Sequence, residues 1–465
     1  MLPIEGQPIL TVAQMRAAEA RAAPTPDALY GLTERAGAGV AEAVRRLAAG
    51  AEVLLLCGPG NNGGDGYVAA RVLRDNGHAV RVAASGEPTT DLARQAAARW
   101  DGPVEALDAA APATVLVDAL FGTGLSRPLA EPIARALDGV HAAAQLSIAV
   151  DVPTGVASDT GEVLSQEGDE TRARTFDLTL ALGALKPAHL LQPAAHLCGA
   201  VRLLDVGVAF ASEANAFSHP HLTAPGPSSH KFTRGLVAVI AGAMPGAGAL
   251  AATAAAHVGA GYVLLLGSAT DRLPHAVVRR RWSDDALADP RIGAIVIGPG
   301  LGRDGPAWDR LDAAMRADKP IVIDGDALWL IAEMGSPWRR TAPVIATPHA
   351  GEFAHTYGDS GSKMDATRAA ASRTGAVIVH KGADTVVAAP DGRVRVHPLG
   401  SPWLSTAGTG DVLAGAIGTT LAAGLLPIDA AEAGVWLHAE AARRCGASFI
   451  ADGLAHALTA ARASL

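Results

Sequence analysis

Short, nearly continuous Val/Leu/Ile runs alternate along this chain with Ala-rich stretches long enough to be helices. In the first half the runs are Val53–Cys57, Ala79–Ala83, Thr114–Val117, Leu146–Val150, Leu178–Leu182 and Val201–Leu204. In the second they are Leu236–Ala241, Tyr262–Leu266, Ala294–Ile297, Pro320–Ile323, Val344–Ala346, Val377–Val379 and Val386–Ala388. Strands buried on both faces of a parallel sheet read this way, because no solvent face demands polar alternation. Spacers of crossover length turn most of these runs into βαβ units, so the expected fold class is α/β.

The chain's 465 residues exceed one ordinary core, and Ser212–Ser229 (SEANAFSHPHLTAPGPSS) breaks the pattern with Ser, Pro and His and no apolar period. Two domains are therefore expected, 1–212 and 230–465, joined by a linker over 213–229. With 49% hydrophobic and 18% charged residues the chain can bury both cores, which excludes disorder. Aromatics are 4% against 52 Gly, so Ala, Val and Leu must do the packing. Gly235–Thr270 carries no Asp, Glu, Lys or Arg, but its glycines and Pro245 make it strand, loop, helix and strand rather than a membrane span.

A formal charge of -8 with no basic segment excludes a phosphate-neutralising nucleic-acid face. Cys57, Cys198 and Cys445 are odd in number and far apart, so buried thiols of a reducing compartment are expected rather than disulfides or a metal cluster. The first residues have no basic n-region and place Glu5 early, which does not suit a signal peptide. The expected location is cytoplasmic.

Val53–Cys57 runs into Gly58-Pro59-Gly60-Asn61-Asn62-Gly63-Gly64-Asp65-Gly66 and then a helical stretch. A glycine-rich strand-to-helix turn offers backbone N–H groups and a helix dipole to an anion. A plain tight turn is the alternative, yet two of the chain's four Asn stand in this loop beside an Asp. Val117-Asp118-Ala119-Leu120-Phe121-Gly122-Thr123-Gly124-Leu125-Ser126-Arg127-Pro128 and Val150-Asp151-Val152-Pro153-Thr154-Gly155 also put polar groups at strand ends. In parallel sheets ligands sit outside the carboxyl ends of strands, so the loops are expected to converge.

Together with Gly183-Ala184-Leu185-Lys186-Pro187, these motifs resemble the NAD(P)H-hydrate epimerase family over nearly all of the first half. The resemblance implies a Rossmann-like three-layer sandwich. It also implies that Asn61, Asn62, Gly63, Gly64, Asp65, Gly122, Thr123, Gly124, Leu125, Ser126, Arg127, Pro128 and Asp151 bind the hydrated dinucleotide, with K⁺ on Asn62, Asp118 and Thr154. Such oxygen ligands suit a hard cation. Loss of a hydroxyl from the carbon beside a ring nitrogen leaves an iminium, and water returning on the other face inverts the centre. An acid–base group is needed there, and Asp151 is the first candidate. Lys186, one of five lysines, is a second, against the alternative of a structural ion pair.

In the second half Ser405-Thr406-Ala407-Gly408-Thr409-Gly410-Asp411 precedes a helical stretch. Gly408, Thr409 and Gly410 at a helix start form an anion hole, and Asp411 beside it can take a hydroxyl proton during phosphoryl transfer. This resembles the ribokinase-like superfamily. Gly298–Gly302, Asp324-Gly325-Asp326-Ala327-Leu328, Thr347-Pro348-His349-Ala350-Gly351-Glu352 and Lys381-Gly382-Ala383-Asp384-Thr385 narrow the resemblance to NAD(P)H-hydrate dehydratase. It implies Ala247, Gly302, His349 and Asp411 at the hydrated dinucleotide. Lys381, Gly382, Ala383, Asp384, Thr385 and Gly408–Gly410 fall to the adenine nucleotide, with Mg²⁺ as cofactor. ADP as phosphoryl donor, with ATP possible, rests on analogy. So does a homo-oligomer.

The expected function is repair of hydrated NADH and NADPH by an epimerase fused to a dehydratase, with neither nucleic acid nor membrane as partner. The rivals are a ribokinase-like small-molecule kinase, which would release a phosphorylated product, and a first half that only binds dinucleotide.

Overall fold

A computed structural model describes residues 1–465 except 165–173, 269, 271–272, 284, 335–339, 359–360 and 399. Contacts divide the chain into two compact units, Met1–Ala216 and Phe217–Leu465.

The strands of the first unit are β1 (Val53–Cys57), β2 (Val80–Ala84), β3 (Val104–Ala106), β4 (Val115–Ala119), β5 (Leu146–Val150), β6 (Leu178–Leu182) and β7 (Ala200–Leu204), followed by the short β8 (Ala214–Ala216). They lie in the order β3-β2-β1-β4-β5-β6-β7, every neighbouring pair parallel. The pleat sends alternate residues of β1 to opposite faces. Val53, Leu55 and Cys57 join Val40, Val44, Tyr67 and Val68 from helices Pro26–Leu47 and Asn61–Asp75. Leu54 and Leu56 join Leu137 and Val140 of helix Glu131–Ala143. With both faces covered this is a three-layer sandwich, as expected.

The second unit adds β9 (Leu236–Ile240), β10 (Tyr262–Leu266), β11 (Val277–Arg280), β12 (Ile292–Ile297), β13 (Ile321–Ile323), β14 (Val344–Ala346), β15 (Val377–His380), β16 (Val386–Ala388) and β17 (Val394–Val396). Their order is β11-β10-β9-β12-β13-β14-β15-β16-β17. Pairing is parallel as far as β15 and antiparallel beyond it. Helices Pro245–Val258, Thr409–Ala422 and Pro427–Cys445 cover one face through Ala251, Leu413, Ile417 and Val435.

In both sheets the strand order reverses once, between β1 and β4 and between β9 and β12. Loops leaving the carboxyl ends of two such strands turn in opposite directions and open a crevice. The motif loops after β1 and β4 and after β9 and β12 flank these two points, while Asp151 and Lys186 follow β5 and β6, and Thr347–Glu352 and Lys381–Thr385 follow β14 and β15.

Three expectations need correction. The stretch 213–229 is not all linker. Ile9 donates to Ala214 O and Ala216 donates to Gln7 O, both within the first unit, while Phe217 is already in the second unit's core. Cys57 and Cys198 are buried free thiols, but Cys445 is only half-buried. Strands β3, β11 and β17 were not anticipated. The half-exposed β3 reads VEA and β11 reads VVRR, neither of them an apolar run.

Candidate functional sites

In the first unit a cavity of about 390 Å³ opens at the β1/β4 reversal. Its walls include Asn61, Asn62 and Asp65 from the helix after β1, Gly122–Leu125 from the loop after β4, and Asp151 and Lys186. The glycine-rich turn is as much a packing device as a ligand loop. A Cβ on Gly63 would stand 1.9 Å from Gly58 O, and one on Gly58 would stand 1.7 Å from Leu120 O. Gly63 and Gly64 do not line the cavity, and Ser126, Arg127 and Pro128 are exposed outside it.

Asp151 follows β5 with φ of 66°, a left-handed conformation that Asp tolerates better than most residues. Its Oδ1 accepts from Lys186 Nζ at 2.5 Å, and the same ammonium donates to Leu182 O at 2.7 Å. His189 is wedged behind the pair. It accepts from the Lys186 N–H on Nδ1 at 2.9 Å and donates from Nε2 to Asp151 O at 2.6 Å. Burial, reinforced by Lys186, lowers its pKa to about 4, so it stays neutral. Lys186 thus forms the ion pair of the structural alternative, but it does so in the wall of the cavity. Across from it, burial and then the charges of Asp151 and Glu19 hold the Asp65 carboxyl well above the carboxylate range, with Lys186 opposing.

Sequence reasoning missed Glu19. It lies on helix Val12–Ala22, lines the cavity, and has its own pKa raised by burial. The helix is announced by a capping box, Thr11 with Gln14, which could have been read from the sequence.

Deeper in the same unit Asp118 is fully buried in β4. Its Oδ1 accepts from Leu120 N at 3.0 Å and Thr154 Oγ1 at 2.9 Å, and its Oδ2 accepts from Thr154 N at 3.1 Å. Thr154 Oγ1 also lies 3.3 Å from Phe121 O. A Cβ on Gly122 would lie 3.1 Å from Asn62 Oδ1, so the amide reaches this loop, yet its Nδ2 is buried without a hydrogen-bond partner. The oxygens of Asn62, Asp118 and Thr154 suit a hard cation better than a soft metal, whereas the unpartnered Nδ2 is a hydrogen-bond donor and would not ligate one. Burial raises the Asp118 pKa, an effect that a bound cation would oppose.

In the second unit the loops after β9 and β12 are stitched together by Met244 N to Gly300 O at 2.9 Å and Ala243 N to Leu301 O at 3.2 Å. This brings Ala247, on the first turn of its helix, and Gly302 to the reversal point. Gly302 N also donates to Asp326 Oδ2 at 3.0 Å.

A cavity of about 640 Å³ has His349, Lys381, Gly382, Ala383, Thr385, Thr409 and Gly410 in its walls, whereas Ala247, Gly302, Gly408 and Asp411 do not line it. Gly408 caps the Thr409 helix with φ of 88°, which demands glycine. A Cβ on Gly410 would stand 3.4 Å from Lys381 Nζ. Asp384 is not in the wall; its carboxylate takes Lys363 Nζ at 2.5 Å. His349 caps helix Ala350–Tyr357, accepting from Gly351 N and Glu352 N on Nδ1, while Glu352 Oε2 accepts from His349 N at 2.8 Å.

Asp411, on the first turn of the Thr409 helix, has its pKa pushed up to about 7. Burial and then the charge of Asp324 raise it, Lys381 opposes, and Asp326 and Glu352 add to the rise. Burial works to lower the Lys381 pKa, but Asp324 at 2.7 Å and Glu352 at 3.8 Å outweigh it and the net shift is upward. Asp324 and Glu352 are the residues that sequence reasoning left without a role here.

Fold and cavities together define the class: an α/β enzyme of two units, each with a cavity lined by loops that leave the carboxyl ends of parallel strands. Comparison with known proteins agrees. Residues 29–188 match the YjeF-related protein N-terminus family and residues 237–462 match the NAD(P)H-hydrate dehydratase family. A bifunctional NAD(P)H-hydrate repair enzyme of Mycobacterium tuberculosis is 36% identical over 441 residues, covering 89% of each chain. One from Salinibacter ruber is 35% identical, covering 95% of this chain and 92% of its own. Among solved structures, a Bacillus subtilis ADP/ATP-dependent NAD(P)H-hydrate dehydratase co-crystallised with ATP/Mg²⁺ is 30% identical, with a TM-score of 0.47, over 52% of this chain and 94% of its own. This chain belongs to the family of bifunctional NAD(P)H-hydrate repair enzymes. Among the described residues no helix is long and apolar enough to cross a membrane.

Proposed function

We propose that the first unit equilibrates the two C6 epimers of hydrated NADH or NADPH, and that the second dehydrates the S epimer at the expense of ADP. In the first unit the C6–O bond breaks, the hydroxyl departs as water, and the ring nitrogen's lone pair forms an iminium. Water then adds to the opposite face and gives up a proton. Asp151, held by Lys186, serves as the acid–base group at that carbon. Asn61, Asn62, Asp65 and the Gly122–Leu125 loop orient the dinucleotide. Asn62, Asp118 and Thr154 would hold K⁺, whose charge would tie the ends of β4 and β5 to the glycine-rich turn.

In the second unit Asp411 takes the C6 hydroxyl proton and the oxygen attacks the terminal phosphorus of ADP, releasing AMP. Lys381 and the N–H groups around Gly408–Gly410 receive the phosphoryl oxygens. Phosphate then leaves C6 while a proton leaves C5, restoring the dihydronicotinamide. Mg²⁺ entering with the nucleotide would neutralise charge on the transferred group, as is usual for this ion. His349, Ala247 and Gly302 would contact the hydrated ring. We place the protein in the cytoplasm as a homo-oligomer.

The observation that carries the dehydratase reading is Asp411 at a helix N-terminus in the same polar cluster as Lys381 and Asp324. The test is recovery of reduced-nicotinamide absorbance from mixed R and S hydrate with Mg²⁺, K⁺ and either ADP or ATP. Full recovery with ADP, stopped by Asp411→Ala, is expected. Recovery that stalls at the S fraction would leave the first unit a binding module. No recovery with either nucleotide, and a stable phosphorylated product from another alcohol, would make the second unit a kinase.

A further inference from the structure

Asp324 takes no part in the steps above, yet it is only 3% exposed and is held from two sides. Its Oδ1 accepts from Lys381 Nζ at 2.7 Å and from Thr347 Oγ1 at 2.6 Å. The three residues leave the carboxyl ends of neighbouring strands β13, β14 and β15. Backbone bonds continue the ladder there, Asp324 N to Ile297 O and Thr347 N to Ile323 O, both at 3.0 Å, and Lys381 N to Pro348 O at 2.8 Å. The other carboxylate oxygen faces the Thr409 helix, since a Cβ on Gly410 would lie 3.9 Å from Asp324 Oδ2.

We propose that Asp324 is the positioning residue of the second reaction centre: bonded to Lys381 and Thr347, its carboxylate fixes the ammonium beside Gly410 and keeps a negative charge facing Asp411. The inference rests on the reading of Asp411 as base and of Lys381 with Gly410 as phosphate site.

A lysine on a long, rotating stem must be ordered each time it receives a phosphate unless a partner orders it beforehand. Asp324 supplies that partner from the rigid end of a strand. The charges around Asp411 come from three neighbouring segments. Asp324 and Asp326 follow β13, with Asp326 itself paired to Arg303 at 2.9 Å; Glu352 lies on the His349-capped helix, and Lys381 follows β15. His438 of helix Pro427–Cys445 donates from Nε2 to Thr409 O at 2.9 Å and is kept neutral by burial. Of these, Asp324 raises the Asp411 pKa most after burial itself. It therefore blunts the ammonium's pull on the base while holding that ammonium in place.

The test measures dehydration of the S epimer by the full-length chain across pH, with the thermal melt of the second unit as the check on folding. Losing a charged hydrogen bond is worth about a tenfold to hundredfold effect. Asp324→Asn should therefore lower kcat and raise the nucleotide KM, each by about tenfold or more. Its acidic limb should move down by about one pH unit, because a negative neighbour of Asp411 is gone. Thr347→Val removes one orienting bond and no charge, so it should raise the nucleotide KM several-fold with the limb in place, and it decides the matter if Asp324→Asn does not fold. Wild-type kcat, KM and limb in Asp324→Asn, or wild-type KM in Thr347→Val, would overturn the positioning role. Asp411→Asn separates the two levels: turnover retained there removes the base reading itself, whereas turnover lost there leaves that reading intact whatever Asp324 does.

Discussion

Lys186 Nζ stands 2.5 Å from Oδ1 of Asp151, with the lysine side chain 1% exposed and the aspartate 11%. Attraction across a buried pair is offset largely by desolvation, but removing one partner strands the other charge and costs about 3–5 kcal/mol. Lys186→Met should therefore destabilise the first unit by about that much and abolish epimer exchange. Asp151→Asn keeps a side chain that accepts left-handed backbone, so it should fold better than Asp151→Ala while losing exchange equally. Chemical melts paired with exchange assays check this. Exchange surviving in both variants would remove the pair from the reaction.

The glycine-rich turn separates packing from binding position by position. Gly63→Ala would drive a methyl into Gly58 O, and overpacking of that severity should cost ~3 kcal/mol or more. Gly60 lines the cavity, has ordinary extended backbone, and has no atom within 4 Å of an added Cβ. Gly60→Ala should stay within about 0.5 kcal/mol of the parent and change only dinucleotide affinity. Equal melting temperatures for the two variants would contradict this account of the turn.

Much of this was legible because buried parallel strands leave unbroken apolar runs, and β1, β5 and β6 fall where the runs do. The run Pro320–Ile323 loses its first residue, because proline has no N–H for the ladder. β4 reaches past its run to include Asp118 and Ala119, so a presumed strand-end carboxylate lies inside the sheet. Edge strands such as β3 and β11 stayed hidden because a half-exposed strand need not be apolar. The sites followed the same division. Loop motifs at strand ends were visible as unusual polar residues. Glu19, whose role depends on a helix from a distant part of the unit, and Asp324, whose role depends on Lys381 two strands away, need tertiary geometry to be seen.

The oxygen cluster of Asn62, Asp118 and Thr154 predicts a specific response to K⁺. An ion that binds only the folded state stabilises it by mass action, about 2.7 kcal/mol at a hundredfold excess over Kd. K⁺ should raise the first unit's melting temperature above that in choline at equal ionic strength. Thr154→Val, which deletes a hydroxyl that donates to Asp118, should lose the response along with a modest part of the basal stability. An unchanged K⁺ response in Thr154→Val, or none in the parent, would disprove the site.

Asp411 predicts both a rate profile and an opposite stability profile. With its pKa near 7, the carboxylate needed as base forms only as pH rises through neutrality. The kcat for dehydration should then climb about tenfold per pH unit on the acidic side and level off above it. Because the folded-state pKa is raised above the ordinary carboxylate value, the folded chain binds a proton that the unfolded chain has already released. Stability attributable to this group is accordingly greatest below the unfolded pKa and falls as pH rises towards the folded one. Asp411→Asn removes the buried charge, so above neutral pH it should melt a few degrees higher than the parent while being inactive, and the difference should shrink as pH falls and vanish only below about pH 4, the ordinary carboxylate value. Inactivity with no alkaline gain in stability would mean that Asp411 is not the strained, buried base described here.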